Sequence, residues 1–302
     1  GRPEFVAVYG RRRVGKTYLV REHFKDQFSF YATGVANKLT RDQLRAFHEC
    51  LRAYGNTDRA APKDWFEAFG RLRRLLEGDD AVRDPTSNKL VVFLDELPWM
   101  DTARSDFRAA LDFFWNAWGS ARNDLLLIVC GSASSWMISN LVEDHGGFYN
   151  RVTRHIHLQP FCLRECEAYF DAAGVMLTRR QVIEADMVFG GIPYYLNPIE
   201  GKYSLAQNID RLCFSRFGQL RNEFEQLFKS LFRRADRHEA IVRALARTEE
   251  GLERTELAAI DEIGGGKLLT TALKELEQCG FVRRYQRYGR KSNSGLYQLI
   301  DP

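Results

Sequence analysis

Val8-Tyr9-Gly10-Arg11-Arg12-Arg13-Val14-Gly15-Lys16-Thr17 decides how the first half of this chain is read. Gly10 to Thr17 matches G-x-x-x-x-G-K-[ST] in full. An apolar β-type run, Phe5 to Tyr9, lies immediately before it, and an amphipathic helical segment from Gly15 through Phe24 lies after it. A chain that leaves a strand, turns on glycines and opens a helix presents backbone N–H groups and a positive helix end to an anion. The spacing therefore predicts a loop that wraps a nucleotide's polyphosphate. Gly10, Arg13, Val14, Gly15, Lys16, Thr17 and Tyr18 are the residues expected to line it. Lys16 should reach the β- and γ-phosphates, and the Thr17 hydroxyl should ligate Mg²⁺. Arg11, Arg12 and Arg13 occupy the variable part of the loop. They add charge near the phosphates, face a partner, or are solvated surface arginines.

The next informative stretch is Leu90-Val91-Val92-Phe93-Leu94-Asp95-Glu96. A continuous apolar run suits a strand buried on both faces, and its end places a carboxylate beside the phosphate loop. Asp95 is expected to hold Mg²⁺, and Glu96 to orient or deprotonate an attacking water. A further buried strand, Leu125 to Cys130, is closed by Gly131-Ser132. Ser132 is the first choice for a polar residue that feels the γ-phosphate, with Ser134 and Ser135 as neighbours; a plain strand-to-helix turn is the alternative. Arg151 and Arg154 precede the last strand. An arginine there can act on the γ-phosphate of a neighbouring subunit, because transition-state charge spreads over the phosphoryl oxygens, or it can form a structural salt bridge. His155 and His157 alternate on that strand without a third ligand and read as strand residues.

Outward from these motifs, the first 160 residues alternate strands near 5–9, 28–31, 90–94, 125–130 and 155–158 with helices near 15–24, 38–54, 63–77, 104–119 and 134–142. A glycine loop at Gly146-Gly147 precedes the last strand. That pattern argues an α/β fold with a mostly parallel five-stranded sheet covered on both faces. After Pro160 the strands stop: 161–235 reads as helices broken at Gly174 and at Gly190-Gly191-Ile192-Pro193. From 236 to 302 the pattern is three helices and a hairpin, which is the order of a winged helix. The expected domains are thus 1–160, 161–235 and 236–302.

Composition agrees with a folded chain: of 302 residues, 45% are hydrophobic and 28% charged. No apolar run approaches the ~20 residues that span a bilayer. Forty-four basic against 40 acidic residues leave a formal charge of +4, too mild to argue for nucleic acid by itself. The six cysteines are scattered, and Cys162 and Cys166 have no second pair to complete a zinc site; they read as buried thiols of a reducing cytosol. With no signal pattern, a cytoplasmic location is expected. The chain lacks an initiator Met, so its natural start is expected upstream.

Taken together, the sequence resembles the prokaryotic archaeal-type ATPase family, within the AAA+/STAND group of P-loop ATPases. The residues that carry the resemblance are Val8 to Thr17, Phe93-Leu94-Asp95-Glu96, Arg151 with Ile156-His157-Leu158-Gln159-Pro160-Phe161, and Gly190-Gly191-Ile192-Pro193-Tyr194-Tyr195-Leu196. The resemblance covers nearly the whole chain. It implies a helical lid over 161–235 in which Gly191 and Pro193 pack against the nucleotide's base or sugar; a helix–helix corner is the alternative. It also implies adenine, hence ATP with Mg²⁺, since no guanine-reading N-K-x-D motif is found. Family members usually carry a Gly-Arg-Glu segment before the first strand and often continue into a nuclease-like domain, so this chain is expected to be a truncated core.

The implied activity is Mg²⁺-dependent ATP hydrolysis, slow or partner-stimulated, by a switch in which nucleotide state moves the lid and winged helix. A DNA-binding regulator or loader is the alternative. Arg283, Arg284, Arg287, Arg290 and Lys291, with Tyr285 and Tyr288, form a basic 283–291 wing suited to duplex phosphates. The third helix, by contrast, offsets Lys267 and Lys274 with Glu275 and Glu277 and is a poor base reader. An internal or partner-facing role for the winged helix, including a protein partner or a second copy of the chain, stays open.

Overall fold

Alternation along the strands decides which face of the sheet each side chain covers. The computed structural model describes residues 2–132, 134–142, 150–232, 234–286 and 295–300. Five strands, β1 (Glu4–Tyr9), β2 (Phe30–Thr33), β3 (Leu90–Asp95), β4 (Leu125–Gly131) and β5 (Arg154–His157), form one sheet in the order β2-β3-β4-β1-β5. Every pairing is parallel, as the strand–helix alternation predicts. Side chains of a strand alternate between faces. Phe5 and Ala7, Leu90, Val92 and Leu94, and Leu125, Leu127 and Val129 enter one core. Val6 and Val8, Val91 and Phe93, and Ile128 and Cys130 enter another on the opposite face.

The first core is thick with aromatic rings from three helices, Thr40–Ala53, Trp65–Glu77 and Phe107–Ala117. Trp65 packs edge-on against Phe107 at 4.8 Å and Phe47 at 5.4 Å. The second core is thinner and takes Val20 from the helix Lys16–Phe24. Two expected helices differ in detail, and one beyond those expected is present. The segment after β3 makes a short helix, Leu97–Met100, and Phe107–Ala117 starts three residues later than the periodicity suggests, because Arg104 and Asp106 adopt left-handed backbone. The segment 134–142 is α-helical over Ser134–Met137 and π-helical over Ile138–Val142. The second strand is shifted toward its C-terminus, to Phe30–Thr33. Gly146-Gly147 lies outside the described residues.

The chain divides into two units. One comprises Gly1–Gly10 with Gly15–Leu158, and the other Gln159–Pro302 together with the loop residues Arg11–Val14. In the second unit, Leu163–Ala172 and Arg179–Phe189 pack around Cys166, Phe170, Val182, Ala185 and Phe189. Thr178 and Gln181 form a reciprocal capping box at the start of the second of these helices. Gly190 in left-handed backbone ends it, and Pro193 opens Pro193–Leu196. Gly191 is obligatory here: its φ is +64°, and a Cβ would lie 2.1 Å from the Phe161 carbonyl oxygen.

Further along, Ala235–Leu245, Arg254–Ala258 and Gly266–Gln278 share a core with an antiparallel sheet. Its strands are β6 (Leu252–Glu253), β7 (Val282–Gln286) and β8 (Gly295–Leu299), in the order β6-β8-β7. The two-residue β6 is too short to read from sequence. Glu275, expected to offset the lysines of this helix, pairs through its Oε2 with Nε2 of buried His238 at 2.8 Å. Among the cysteines, Cys130, Cys166 and Cys279 are buried, while Cys162 is exposed. Among the described residues no helix is long and apolar enough to cross a membrane.

Phe93 is fully buried in the thinner core, between Phe28 and Tyr31 with ring centroids at 5.5 and 5.3 Å. Phe93→Ala should lower unfolding stability by about 3–5 kcal/mol, read as a fall in the urea midpoint at unchanged m-value.

Candidate functional site

In a parallel sheet all strands end at the same edge, and ligands bind in the crevice beyond those carboxyl ends. Here β1 and β3 flank β4, so the Gly10–Thr17 loop, Asp95-Glu96 and Ser132 emerge together. The loop can turn only because Gly10 has φ +144° and no side chain: a Cβ would lie 2.2 Å from the Leu158 carbonyl oxygen. Gly15, at φ +91°, caps the helix Lys16–Phe24, and a Cβ there would meet nothing within 4 Å. The first turn of that helix carries no acidic residue, so its N–H groups and dipole remain available to an anion.

The charged members are paired, and Lys16 and Asp95 are also buried. Lys16 is 6% exposed and donates from Nζ to the Gly10 carbonyl at 2.8 Å. Asp95 is 4% exposed; its Oδ2 accepts from the Thr17 hydroxyl at 2.8 Å and its Oδ1 from the Glu96 N–H at 2.9 Å. Glu96 sits in left-handed backbone at φ 46° at the start of Leu97–Met100. Its Oε2 accepts from the Ser132 hydroxyl at 2.9 Å. One hydroxyl–carboxylate pair thus joins the phosphate loop to β3, and a second joins β3 to the end of β4. Thr17 and Asp95 offer the hard oxygen donors that a small divalent cation selects, and their adjacency fits such an ion. Burial, and then the Asp95 charge, push the neighbouring Cys130 thiol well above the ordinary range. His157 stacks on Tyr9 at 4.8 Å; burial and then the Lys16 charge hold its imidazole below its usual value.

Other expected residues fall elsewhere. Val14 is buried, while Tyr18 is 71% exposed and directs its ring outward. Ser135 lies on the helix Ser134–Met137. Arg151 lies within ion-pair distance of Asp112, at 3.8 Å, and Arg154 of Glu4, at 3.4 Å. Neither belongs to the hydrogen-bonded set around Asp95. In the second unit, Gly191 forms the tight turn against Phe161, and Pro193 is the first residue of a helical turn.

Arg13, at φ 73°, is no solvated arginine. It pairs with Glu223 and lies over the Tyr194 ring, while Arg11 lies 4.7 Å over Phe281. Sequence reading missed Glu223, which has no local signal. It also missed Gly34, whose N–H donates to the Asp95 carbonyl at 2.9 Å and where a Cβ would lie 2.4 Å from the Glu96 carbonyl oxygen. A glycine directly after a strand was the available hint.

A family model described as an AAA domain matches residues 2–167, more than half of the chain. The chain belongs to the AAA-domain family. The uncharacterized protein MJECL04 of Methanocaldococcus jannaschii is 24% identical over 99% of this chain; the match spans 62% of that relative's own length. Among solved structures, the Walker-type ATPase paby2304 of Pyrococcus abyssi is similar with a TM-score of 0.64 at 19% identity, covering 98% of this chain and 88% of that one. The Aeropyrum pernix ORC2 protein is similar with a TM-score of 0.55 at 15% identity, covering 99% and 84%. The resemblance that the motifs suggest therefore holds for the AAA domain, and the two solved structures share the fold.

Gly10→Ala tests the loop's dependence on close backbone approach. Strain at φ +144° and the clash with Leu158 should together cost about 2 kcal/mol or more, seen as a lower thermal midpoint of the ligand-free protein.

Proposed function

We propose that this AAA-domain protein binds ATP with Mg²⁺ at the Gly10–Thr17 loop and hydrolyses it slowly, using the nucleotide state as a conformational switch. The observation that carries the reading is the pair of hydroxyl–carboxylate bonds, Thr17 to Asp95 and Ser132 to Glu96, at one sheet edge. Lys16 exchanges the Gly10 carbonyl for phosphate oxygens. Thr17 and Asp95 hold Mg²⁺, which when bound neutralises phosphate charge. Glu96 orients and accepts a proton from the attacking water, and Ser132 holds Glu96 until phosphate is present. Arg151 reaches a neighbouring subunit's γ-phosphate only if Asp112 releases it.

Removing a general base costs about 10²–10⁴ in rate. Glu96→Gln should therefore lower phosphate release from Mg-ATP by about a hundredfold or more while ATP still binds, and Lys16→Ala should abolish binding. Equal turnover in wild type and Glu96→Gln would refute the assignment of the base.

A second reading, contact with duplex DNA, is favoured by Arg283 and Arg284, both exposed on β7. Arg287, Tyr288, Arg290 and Lys291 lie outside the described residues. If the reading is right, the dependence of duplex affinity on salt should weaken by about one unit of log–log slope for each phosphate contact removed in Arg283→Gln and Arg284→Gln. An unshifted duplex at low salt would exclude it.

A further inference from the structure

The phosphate loop's arginine at position 13 already holds an anion. Its guanidinium pairs with Glu223 Oε2, and the two side chains are only 19% and 12% exposed. The other carboxylate oxygen, Oε1, accepts from the Tyr195 hydroxyl at 2.7 Å. The Tyr194 ring supports the guanidinium at 4.1 Å, and the Tyr195 ring lies 5.7 Å away. Loop residues Arg11–Val14 and all of these partners belong to the same unit.

A desolvated ion pair is a poor device for stability alone, because removing two charges from water offsets their attraction. It is a good device for exchange when each partner has somewhere else to go. Arginine's planar fork suits phosphate oxygens as well as a carboxylate, and Arg13 is part of the loop whose glycines and helix end face an anion. Glu223 is also provided for. It is the first residue of the helix Glu223–Leu231, where a carboxylate is favoured by the helix dipole, while the Tyr195 hydroxyl orients it toward Arg13. The carboxylate can therefore lose its arginine without being stranded.

We propose that Glu223 is the counter-anion that nucleotide phosphate displaces from Arg13, so that the helix Glu223–Leu231 competes with ATP for the phosphate loop. This rests on the ATP-binding reading above and adds the regulation of that site. The helix is well placed to pass the exchange on. Its Leu227 and Phe228 are buried in the C-terminal core, and Phe228 packs on Phe281 at 5.0 Å, the ring under Arg11. Release of Glu223 loosens one end of a helix whose other contacts lie among Ala235–Leu245 and Gly266–Gln278.

The test is the affinity for ATP with Mg²⁺, measured by titration calorimetry on wild type, Glu223→Gln, Tyr195→Phe, Arg13→Gln, the Arg13→Gln/Glu223→Gln pair and Lys16→Ala, with melting temperatures with and without ATP. Freeing a binding group held about 90% of the time by a competitor tightens apparent binding about tenfold. Glu223→Gln should show that gain, and Tyr195→Phe a smaller one in the same direction. The gain should vanish in the Arg13→Gln background. Nucleotide-free Glu223→Gln should melt lower than wild type, and the ATP-saturated forms should melt together; a merely structural pair would lower both and leave affinity unchanged. Unchanged or weaker binding by Glu223→Gln and Tyr195→Phe, with Lys16→Ala still unable to bind, overturns the exchange and spares the nucleotide site. Failure of wild type to bind ATP overturns both. If Glu223→Gln does not fold, Tyr195→Phe alone decides.

Discussion

Parallel hydrogen bonding on both sides of β4 is the constraint on which the site depends. Tyr9 lies in register with Gly131, and Leu94 with Val129. Because the strands run the same way, the chain leaves β1, β3 and β4 at one edge, within hydrogen-bonding reach of one another. A slip of one residue would invert every side chain, exchanging the Phe5–Ala7 set with the Val6–Val8 set. The two cores differ in size: one holds Trp65, Trp115 and Phe107, and the other is built largely of valines and phenylalanines. Packing the two faces so differently pins the register, and the register pins the site.

The charges at this edge are expensive to bury and are accordingly satisfied. Lys16 and Asp95 are nearly inaccessible, and each has partners from backbone or hydroxyl groups. Unpaired, either would cost several kcal/mol or change its protonation. Their partners are exchangeable ones: a carbonyl for Lys16, and hydroxyls for Asp95 and Glu96. A carbonyl and hydroxyls can give up such bonds without disturbing the backbone. Arg13, too, is paired, with the carboxylate of Glu223.

The local motifs were legible because their chemistry is local. Glycines at 10 and 15, lysine at 16 and threonine at 17 are demanded by a turn only a few residues wide, and β3 announces itself by an uninterrupted apolar run ending in acids. The placement of Ser132 was legible for a related reason: the strand before it reads as buried, so the residue after it reaches the same edge. Boundaries were less legible. Left-handed Arg104 and Asp106 delay a helix that periodicity begins earlier, and the two-residue β6 gains its identity only from pairing with β8.

Sequence by itself thus determined the alternation of elements, the Gly10–Thr17 loop and the acidic strand end, since each is written in residues that are neighbours along the chain. Only the tertiary structure decided the strand order β2-β3-β4-β1-β5, the contacts of Arg13 with Glu223, Tyr194 and Tyr195, the need for glycine at 34, and the assignment of Arg151 to Asp112. Those pairings join residues tens to hundreds of positions apart. Nothing in local propensity or spacing encodes them; they follow from which apolar faces pack together, and packing is a property of the whole core.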